Sequence, residues 1–374
     1  MKIKAAVLHQ MGANPPYAAS KPLSVEEVEL DPPGAGEVLV KIAAAGLCHS
    51  DLSVINGDRP RPMPMVLGHE ASGIVEELGA GVNDLRKGDH VIMVFVPSCG
   101  HCVRCAEGRP GLCEPGGAAN VAGTLLSGAR RLKRGTTPLN HHVGISAFAQ
   151  YATISRQSLV KIERELPVDE AALFGCAVLT GVGAVLNTAR VSPGSDVGVI
   201  GLGGVGLASV LGAVVAGARR IVAIDIADDK LALAKSLGAT DTFNATSANC
   251  VEQVRAATAG GVEFAFELAG SVKAMEIAYA ITRRGGTTVT AGLPPPTHAF
   301  PVAQVNLVGE ERTIKGCYIG SSVPVRDVAR YIALYKQGRL PINRLISGRL
   351  KLEDINSAFD RLAEGKAVRQ VVLF

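Results

Sequence analysis

Along roughly the first third of the chain, apolar residues come in short runs separated by proline and glycine. EVLVKIAAAGLC, ASGIVEELG and GDHVIMVFVP have the length and content of strands, and DPPGAGE and RPRPMPM read as loops between them. From about Thr180 the rhythm changes. DVGVIG, RRIVAIDI, DTFNA, VEFAFELAG, GGTTVTAGL and RTIKGCYIG read as strands, and GGVGLASVLGAVVAGA and DDKLALAKSLGA read as helices among them. Such alternation predicts a doubly wound parallel sheet, so the chain is α/β. Towards the C-terminus, DVARYIALYKQGRL and LEDINSAFDRLAEG predict two amphipathic helices before a last strand, RQVVLF.

One apolar stretch, Val197 to Ala218, is uncharged and long enough to cross a bilayer. Its seven glycines cluster in GLGG followed by VG, which suits a strand, a turn and a buried helix better than one continuous span. The N-terminus, MKIKAAVLHQMGANPPY, has neither a sustained apolar run nor a cleavage pattern and reads as a first strand, so a cytoplasmic protein with no membrane attachment is expected. At 374 residues the chain has room for two domains, and a net charge of +4 is too small to imply nucleic acid.

Gly201, Gly203 and Gly206 form GLGGVG between a predicted strand and a predicted helix. In that setting the first glycine makes the turn, the second lets backbone approach a pyrophosphate, and the third lets helix pack on strand. Asp225 ends the next strand, where a carboxylate accepts hydrogen bonds from ribose hydroxyls and repels a 2′-phosphate, favouring NAD over NADP. The structural alternative is a glycine turn in a domain that binds no cofactor.

Four cysteines, Cys99, Cys102, Cys105 and Cys113, follow C-x2-C-x2-C-x7-C. The spacing suits a closed tetrahedral zinc site, and iron–sulfur ligation uses similar runs. If zinc is bound, four sulfurs fill its shell and the site stiffens a loop without reacting. Cys48 in GLCHSD, His69 in GHE and Cys176 in FGCAVLTG offer a second set of donors, two thiolates and one imidazole, that leaves zinc a position for water or substrate.

Taken together, GLCHSD, LGHEASG, the four-cysteine lobe, GCAVLTGVGA, GLGGVG, AIDI–DDK and GKAVRQVVLF resemble, in order and over essentially the whole chain, the zinc-containing alcohol dehydrogenases of the medium-chain dehydrogenase/reductase superfamily. The resemblance implies a GroES-like β-rich catalytic domain built from 1–176 and 320–374, and a Rossmann domain over 177–319. It implies two Zn2+ per chain, a catalytic one on Cys48, His69 and Cys176 and a structural one on Cys99, Cys102, Cys105 and Cys113. Asp51 would orient His69, Glu70 would lie behind the metal, and Ser50 would accept the alcohol proton. His49 and Arg369 would contact the cofactor pyrophosphate, Lys230 would join Asp225 at the ribose, and Val205 and Thr180 would flank the nicotinamide. Phe95, Val143 and Leu293 match positions of the substrate pocket, with His142 nearby. The implied reaction is NAD-linked, reversible oxidation of a primary aliphatic or aromatic alcohol to an aldehyde, in a homodimer.

Three features depart from the pattern or qualify it. Ser53 stands where many members carry the histidine that ends a proton relay, and serine is a poor proton acceptor near neutral pH. Glutathione-dependent formaldehyde dehydrogenases, the neighbouring alternative, carry acidic residues in the loop before GHE, where this chain has Asp58, Arg59 and Arg61. The stretch Arg130, Arg131, Lys133, Arg134 is either a solvated face or an attractor for an acidic substrate or partner. Two other classes also fit parts of the sequence. A nucleic-acid-binding zinc ribbon would have no use for Cys48, His69 and Cys176, and an inactive relative would be expected to have lost a ligand, Ser50 or Asp225.

Overall fold

The β-rich half is organised around one long strand, Glu37–Gly46, whose burial at every position but Lys41 and Ala43 reflects packing on both faces. It pairs antiparallel with Glu70–Leu78, with Tyr151–Ser155, and, over Ala44 to Gly46, with Arg369–Leu373. His90–Met93, Leu159–Ile162 and Ile346–Leu350 complete a seven-stranded sheet. A closed barrel of Lys2–Leu8, Leu23–Leu30, Leu132–Arg134, Thr137–His141 and Met65–Val66 accompanies it. The main apolar core of this half draws on both sheets and their helices, with Phe148 edge-on to Phe359 at 6.1 Å and with Ile42, Leu47, Ile55 and Met65 fully buried.

The second half is a six-stranded parallel sheet in the spatial order Asp241–Asn244, Arg220–Asp225, Asp196–Ile200, Val262–Glu267, Thr282–Thr290 and Thr313–Gly316. The strand order reverses between Asp196–Ile200 and Val262–Glu267, the switch point at which such sheets bind ligands. Asp196–Ile200 is buried throughout, and Val262–Glu267 at all but Glu263 and Phe264, as befits the centre of a sheet covered on both faces.

The computed structural model describes residues 1–374. These form two compact units, Met1–Cys176 with Val323–Arg330 and Ile346–Phe374, and Ala177–Ser322 with Tyr331–Leu345. The sequence division assigned 320–374 whole to the first unit, but Tyr331–Leu345 groups with the second. The Asn187 amide donates to the Tyr331 hydroxyl at 3.3 Å and the Arg344 guanidinium donates to the Ser236 carbonyl at 2.9 Å. Helix Pro324–Lys336 therefore belongs partly to each unit.

The segment Val197 to Ala218 is a strand, a turn at Gly201 (φ 89°) and a helix over Gly204–Val215, as its glycines predict. A different helix, Val168–Ala189 of 22 residues, is long and apolar enough to cross a membrane, and 83% of its most apolar window is buried inside the protein. It contains two π-helical stretches, Phe174–Val178 and Ala184–Ala189. The basic stretch spends its charge internally. Arg131 donates to Glu37 at 2.7 Å, Lys133 pairs with Asp31 at 2.9 Å, and Arg130 donates to Asn140 at 2.8 Å and to the Ala122 carbonyl at 2.8 Å. Arg134 lies 3.9 Å from Glu26. Each of the four basic side chains thus has an intramolecular partner.

Candidate metal centre and cofactor site

Cys48 lies just beyond strand Glu37–Gly46 and leads into the helix His49–Ile55. His69 immediately precedes strand Glu70–Leu78, and Cys176 lies in the first π-helical stretch, the kind of local widening that places a side chain away from the regular helical row. One ligand atom from each of the three lies within 4.8 Å of the others, and all three residues are buried. His69 Nδ1 is 3.1 Å from the Asp51 carboxylate. An ionised carboxylate only accepts, so Nδ1 carries the proton and the Nε2 lone pair is free to ligate. That Nε2 is buried without a hydrogen-bond partner. A buried, unpartnered imidazole nitrogen beside two thiols is expensive unless something fills the place, and a soft divalent cation such as zinc matches the donor set.

Electrostatics point the same way. A hydrogen bond from Cys176 holds the Cys48 thiol well below its usual pKa despite burial, with the Arg369 charge and His69 assisting. Cys176 is correspondingly pushed up, first by that same hydrogen bond and then by burial. Burial alone would raise Asp51, but its close contacts with the His69 and His142 rings hold it at about 2. Asp51 also accepts the Gly68 amide at 3.1 Å, fixing the turn that presents His69.

Arg369 is 4% exposed, donates to the Leu47 carbonyl at 3.0 Å and lies 3.6 Å from Glu70. Its guanidinium thus sits beside the thiol pair, within the first unit. Phe95 is half-buried and meets the His69 ring edge-on at 5.5 Å, and His142 meets the same ring edge-on, also at 5.5 Å. Val143 is buried at φ 45°, a conformation that a β-branched residue adopts only under constraint from its surroundings. His49 is exposed and Ser50 half-buried. The Ser53 hydroxyl donates to the His49 carbonyl at 2.9 Å, inside its own helix.

The sequence motifs do not reveal that His142 Nδ1 lies 3.1 Å from Asp51, so that two imidazoles flank one carboxylate. The two residues are far apart in the chain, and the only local signal is the pair His141–His142 ahead of a glycine. His141 takes no part. Its Nε2 accepts the Arg131 amide at 3.1 Å, and burial pushes its pKa down to about 4.

In the cysteine lobe, the Cys99 amide donates to the Cys113 sulfur at 3.2 Å, the Cys102 amide to the Cys99 sulfur at 3.3 Å, and the Gly116 amide to the Cys113 sulfur at 3.4 Å. All four sulfurs lie within 4.8 Å of one another. Backbone hydrogen bonding, chiefly at Cys105, lowers Cys102 to about 6, whereas burial pushes Cys105 up to about 12. Four converging sulfurs met by N–H donors fit a metal ion.

In the second unit the three glycines divide their work as the motif predicts. A Cβ on Gly201 would meet the Ala269 backbone nitrogen at 2.6 Å, and one on Gly206 would collide with the Gly201 carbonyl, whereas Gly203 faces open space. That opening at the N-terminus of helix Gly204–Val215 suits a phosphate group. The Asp225 carboxylate accepts the Leu202 amide at 2.6 Å and the Ala227 amide at 3.0 Å, so it also ties down the glycine turn. Thr180 is buried, Val205 and Lys230 are half-buried, and Leu293 is 52% exposed.

Residues 34–164 match the family model of the alcohol dehydrogenase GroES-like domain, and residues 204–337 match that of zinc-binding dehydrogenases. An alcohol dehydrogenase zinc-binding domain protein from Burkholderia ambifaria is 35% identical, with a TM-score of 0.93 over 100% of this chain and 99% of the other. The chain belongs to the zinc-containing alcohol dehydrogenase family of the medium-chain dehydrogenase/reductase superfamily. Benzyl alcohol dehydrogenase from Acinetobacter calcoaceticus is 32% identical, with a TM-score of 0.93 over 100% of this chain and 99% of the other. A Sinorhizobium meliloti structure bound to NADP is 26% identical, with a TM-score of 0.80 and full coverage of both chains. As a family member the protein is a zinc-dependent oxidoreductase with a GroES-like and a Rossmann-type domain, and its four-cysteine lobe fits the structural zinc.

Proposed function

We propose that this dehydrogenase uses NAD to oxidise primary alcohols, with a preference for aromatic ones, reversibly to aldehydes. The observation that carries the reading is the buried Cys48–His69–Cys176 cluster, whose His69 has a free Nε2 and is edged by the rings of Phe95 and His142. Aromatic edges around the reacting position suit a flat, benzylic substrate better than a branched aliphatic one. The 32% identity to a benzyl alcohol dehydrogenase agrees with that preference.

Cys48, His69 and Cys176 would hold the catalytic zinc, which when bound supplies Lewis acidity to an alcohol or carbonyl oxygen. Asp51 keeps the proton of His69 on Nδ1, so the ligand nitrogen stays directed at the metal. Glu70 and Arg369 place a buried, mutually neutralising pair beside the two thiols. Ser50 Oγ, half-buried at the start of its helix, takes up the alcohol proton and passes it towards solvent. The Ser53 hydroxyl donates within the helix, so Ser53 is not the next proton acceptor, and water takes that place in this reading. Asp225 receives the adenosine ribose and disfavours a 2′-phosphate, while Gly203 leaves room for the pyrophosphate.

A homodimer in the cytoplasm belongs to the same reading. Strand Thr313–Gly316 is paired on one side only, and such an edge is a natural place for a second copy to add.

The deciding experiment is absorbance at 340 nm with NAD or NADP and a panel of benzylic, aliphatic primary and secondary alcohols, and formaldehyde with and without glutathione. Zinc analysis and light scattering would be run on the same sample. NADH formation fastest with benzylic alcohols, with two zincs per chain in a dimer, supports the proposal. Turnover only with formaldehyde plus glutathione would replace it by the neighbouring activity, and turnover only with NADP would overturn the cofactor assignment.

A further inference from the structure

The second unit buries an acidic side chain that the mechanism above does not use. Glu267 ends the strand Val262–Glu267 on the far side of the switch point from Asp225 and is 1% exposed. Its Oε1 accepts the Ala269 amide at 2.9 Å and the Gly270 amide at 2.6 Å, and its Oε2 accepts the Thr290 hydroxyl at 2.8 Å. Its own carbonyl accepts the Ala291 amide at 3.1 Å and the Gly292 amide at 3.2 Å. One residue thus gathers the loops that leave two adjacent strands, Leu268 to Gly270 and Ala291 to Gly292. The first loop is also tethered to the glycine turn, because the Leu268 amide donates to the Ile200 carbonyl at 2.9 Å. The three donors to the carboxylate are two amides and a hydroxyl, none of them cationic. A carboxylate whose three donors are all neutral has no counter-charge among its partners.

Where that charge lies relative to a dinucleotide follows from the order of the strands. Asp225, at the end of Arg220–Asp225, takes the adenosine end, and the glycine turn after Asp196–Ile200 takes the pyrophosphate. An extended dinucleotide therefore lays its nicotinamide half over the ends of Val262–Glu267 and Thr282–Thr290, the two strands whose loops Glu267 holds. The nicotinamide ring carries a positive charge when oxidised and none when reduced.

We propose that Glu267 is a positioning residue of the nicotinamide half-site, bracing its two loops and biasing it towards the oxidised, cationic ring. The proposal rests on the cofactor reading above. Asp225 and Glu267 would then be paired strand-end acids on either side of the switch point. One selects the sugar, and the other sets the balance between oxidised and reduced cofactor.

The two parts of the proposal separate by substitution. In Glu267→Gln the remaining Oε1 still accepts both amides and Nε2 donates to the Thr290 hydroxyl, so the loops stay braced while the charge is lost. In Glu267→Ala both are lost. NAD and NADH dissociation constants would be measured by calorimetry and NADH fluorescence on zinc-loaded wild type and variants, with zinc content and circular dichroism alongside. Glu267→Gln is expected to bind NADH within about twofold of wild type and NAD about three- to tenfold more weakly. Glu267→Ala is expected to weaken both about tenfold or more at unchanged zinc content. A Gln variant that alters NAD and NADH equally, or neither, overturns the charge role. An Ala variant that binds both as wild type overturns the brace. Should the Ala variant not fold, the NAD to NADH ratio of the Gln variant still decides. Wild type that binds neither nucleotide overturns the cofactor reading itself, a result distinct from any failure of Glu267.

Discussion

The first unit contains two sulfur clusters built from the same kind of donor for opposite ends. In the lobe, four half-buried or buried cysteines close on one another, and their sulfurs are met by backbone amides of the same loop. In the other cluster two thiols and one imidazole, all buried, come from three separate elements, and their surroundings are side-chain charges: Arg369, Glu70 and Asp51. A closed set of four satisfies a metal and leaves it nothing to do. An open set of three, held by partners that fix tautomer and charge, leaves a coordination position to be used. The number of donors and their source decide between reinforcement and reaction, although cysteine dominates both.

The sharpest way to break this contrast is to remove one sulfur from each cluster. Cys48→Ala should lower alcohol oxidation by about a thousandfold or more and halve the zinc content, with circular dichroism unchanged. Cys105→Ala should lower the melting temperature by about 5 °C or more, while folded enzyme at low temperature keeps most of its activity. The reverse pattern in calorimetry and turnover would mean the two clusters have exchanged roles. A subtler probe is Asp51→Asn, which leaves every ligand in place. It should weaken retention of the catalytic zinc about ten- to a hundredfold in a chelator competition and leave the lobe zinc unmoved.

Smaller effects test whether the open cluster alone answers to its charged surroundings. Asp225→Ser should raise the KM for NAD about tenfold and improve use of NADP, with zinc content and stability unchanged. The acid limit of the unit as a whole is set elsewhere. Burial would raise the Glu37 carboxyl, but hydrogen bonds from Ser127 and Arg131 hold it below its usual value. A depressed carboxylate stabilises the fold above its unfolded pKa, near 4.3, and that contribution is lost as pH falls through the folded value. Arg131→Ala should therefore cost about 1–3 kcal/mol at pH 7, less at pH 3, in denaturant titrations at both pH values. Simultaneous release of both zincs near that acid limit would report melting of the unit and not the chemistry of either cluster.

Much of this was legible in the sequence because it is local. GLGGVG between an aliphatic strand and an aliphatic helix specifies its own turn, and the spacing of Cys99, Cys102, Cys105 and Cys113 is itself the lobe. Cys48, His69 and Cys176 were legible as candidate donors from their residue types, but their assembly into one set gained its weight from the resemblance, since no periodicity links residues so far apart in the chain. Contacts with no motif stayed hidden. His142 reaches Asp51 across the fold, and Tyr331–Leu345 joins the second unit through polar contacts that a helical pattern does not encode. Glu267 left a faint trace as an acid ending a strand just as Asp225 does, but VEFAFELAG gives no hint that its carboxylate gathers two loops. The acidic partners of the basic stretch, Asp31, Glu26 and Glu37, stayed hidden for the same reason, since they lie on distant strands.

Strand Arg369–Leu373 adds to the central strand Glu37–Gly46 and brings Arg369 beside Cys48 and Glu70, yet it follows the whole of Ala177–Ser322 in the chain. During synthesis, then, the ribosome finishes the Rossmann sheet before it delivers the piece that seals the metal centre. Domains fold as units as they emerge, so the nascent protein passes through a stage with a folded cofactor half and three donors still waiting for their last neighbour. The three donors Cys48, His69 and Cys176 all precede the Rossmann sheet in the chain, whereas Arg369, which lies beside Glu70, follows it.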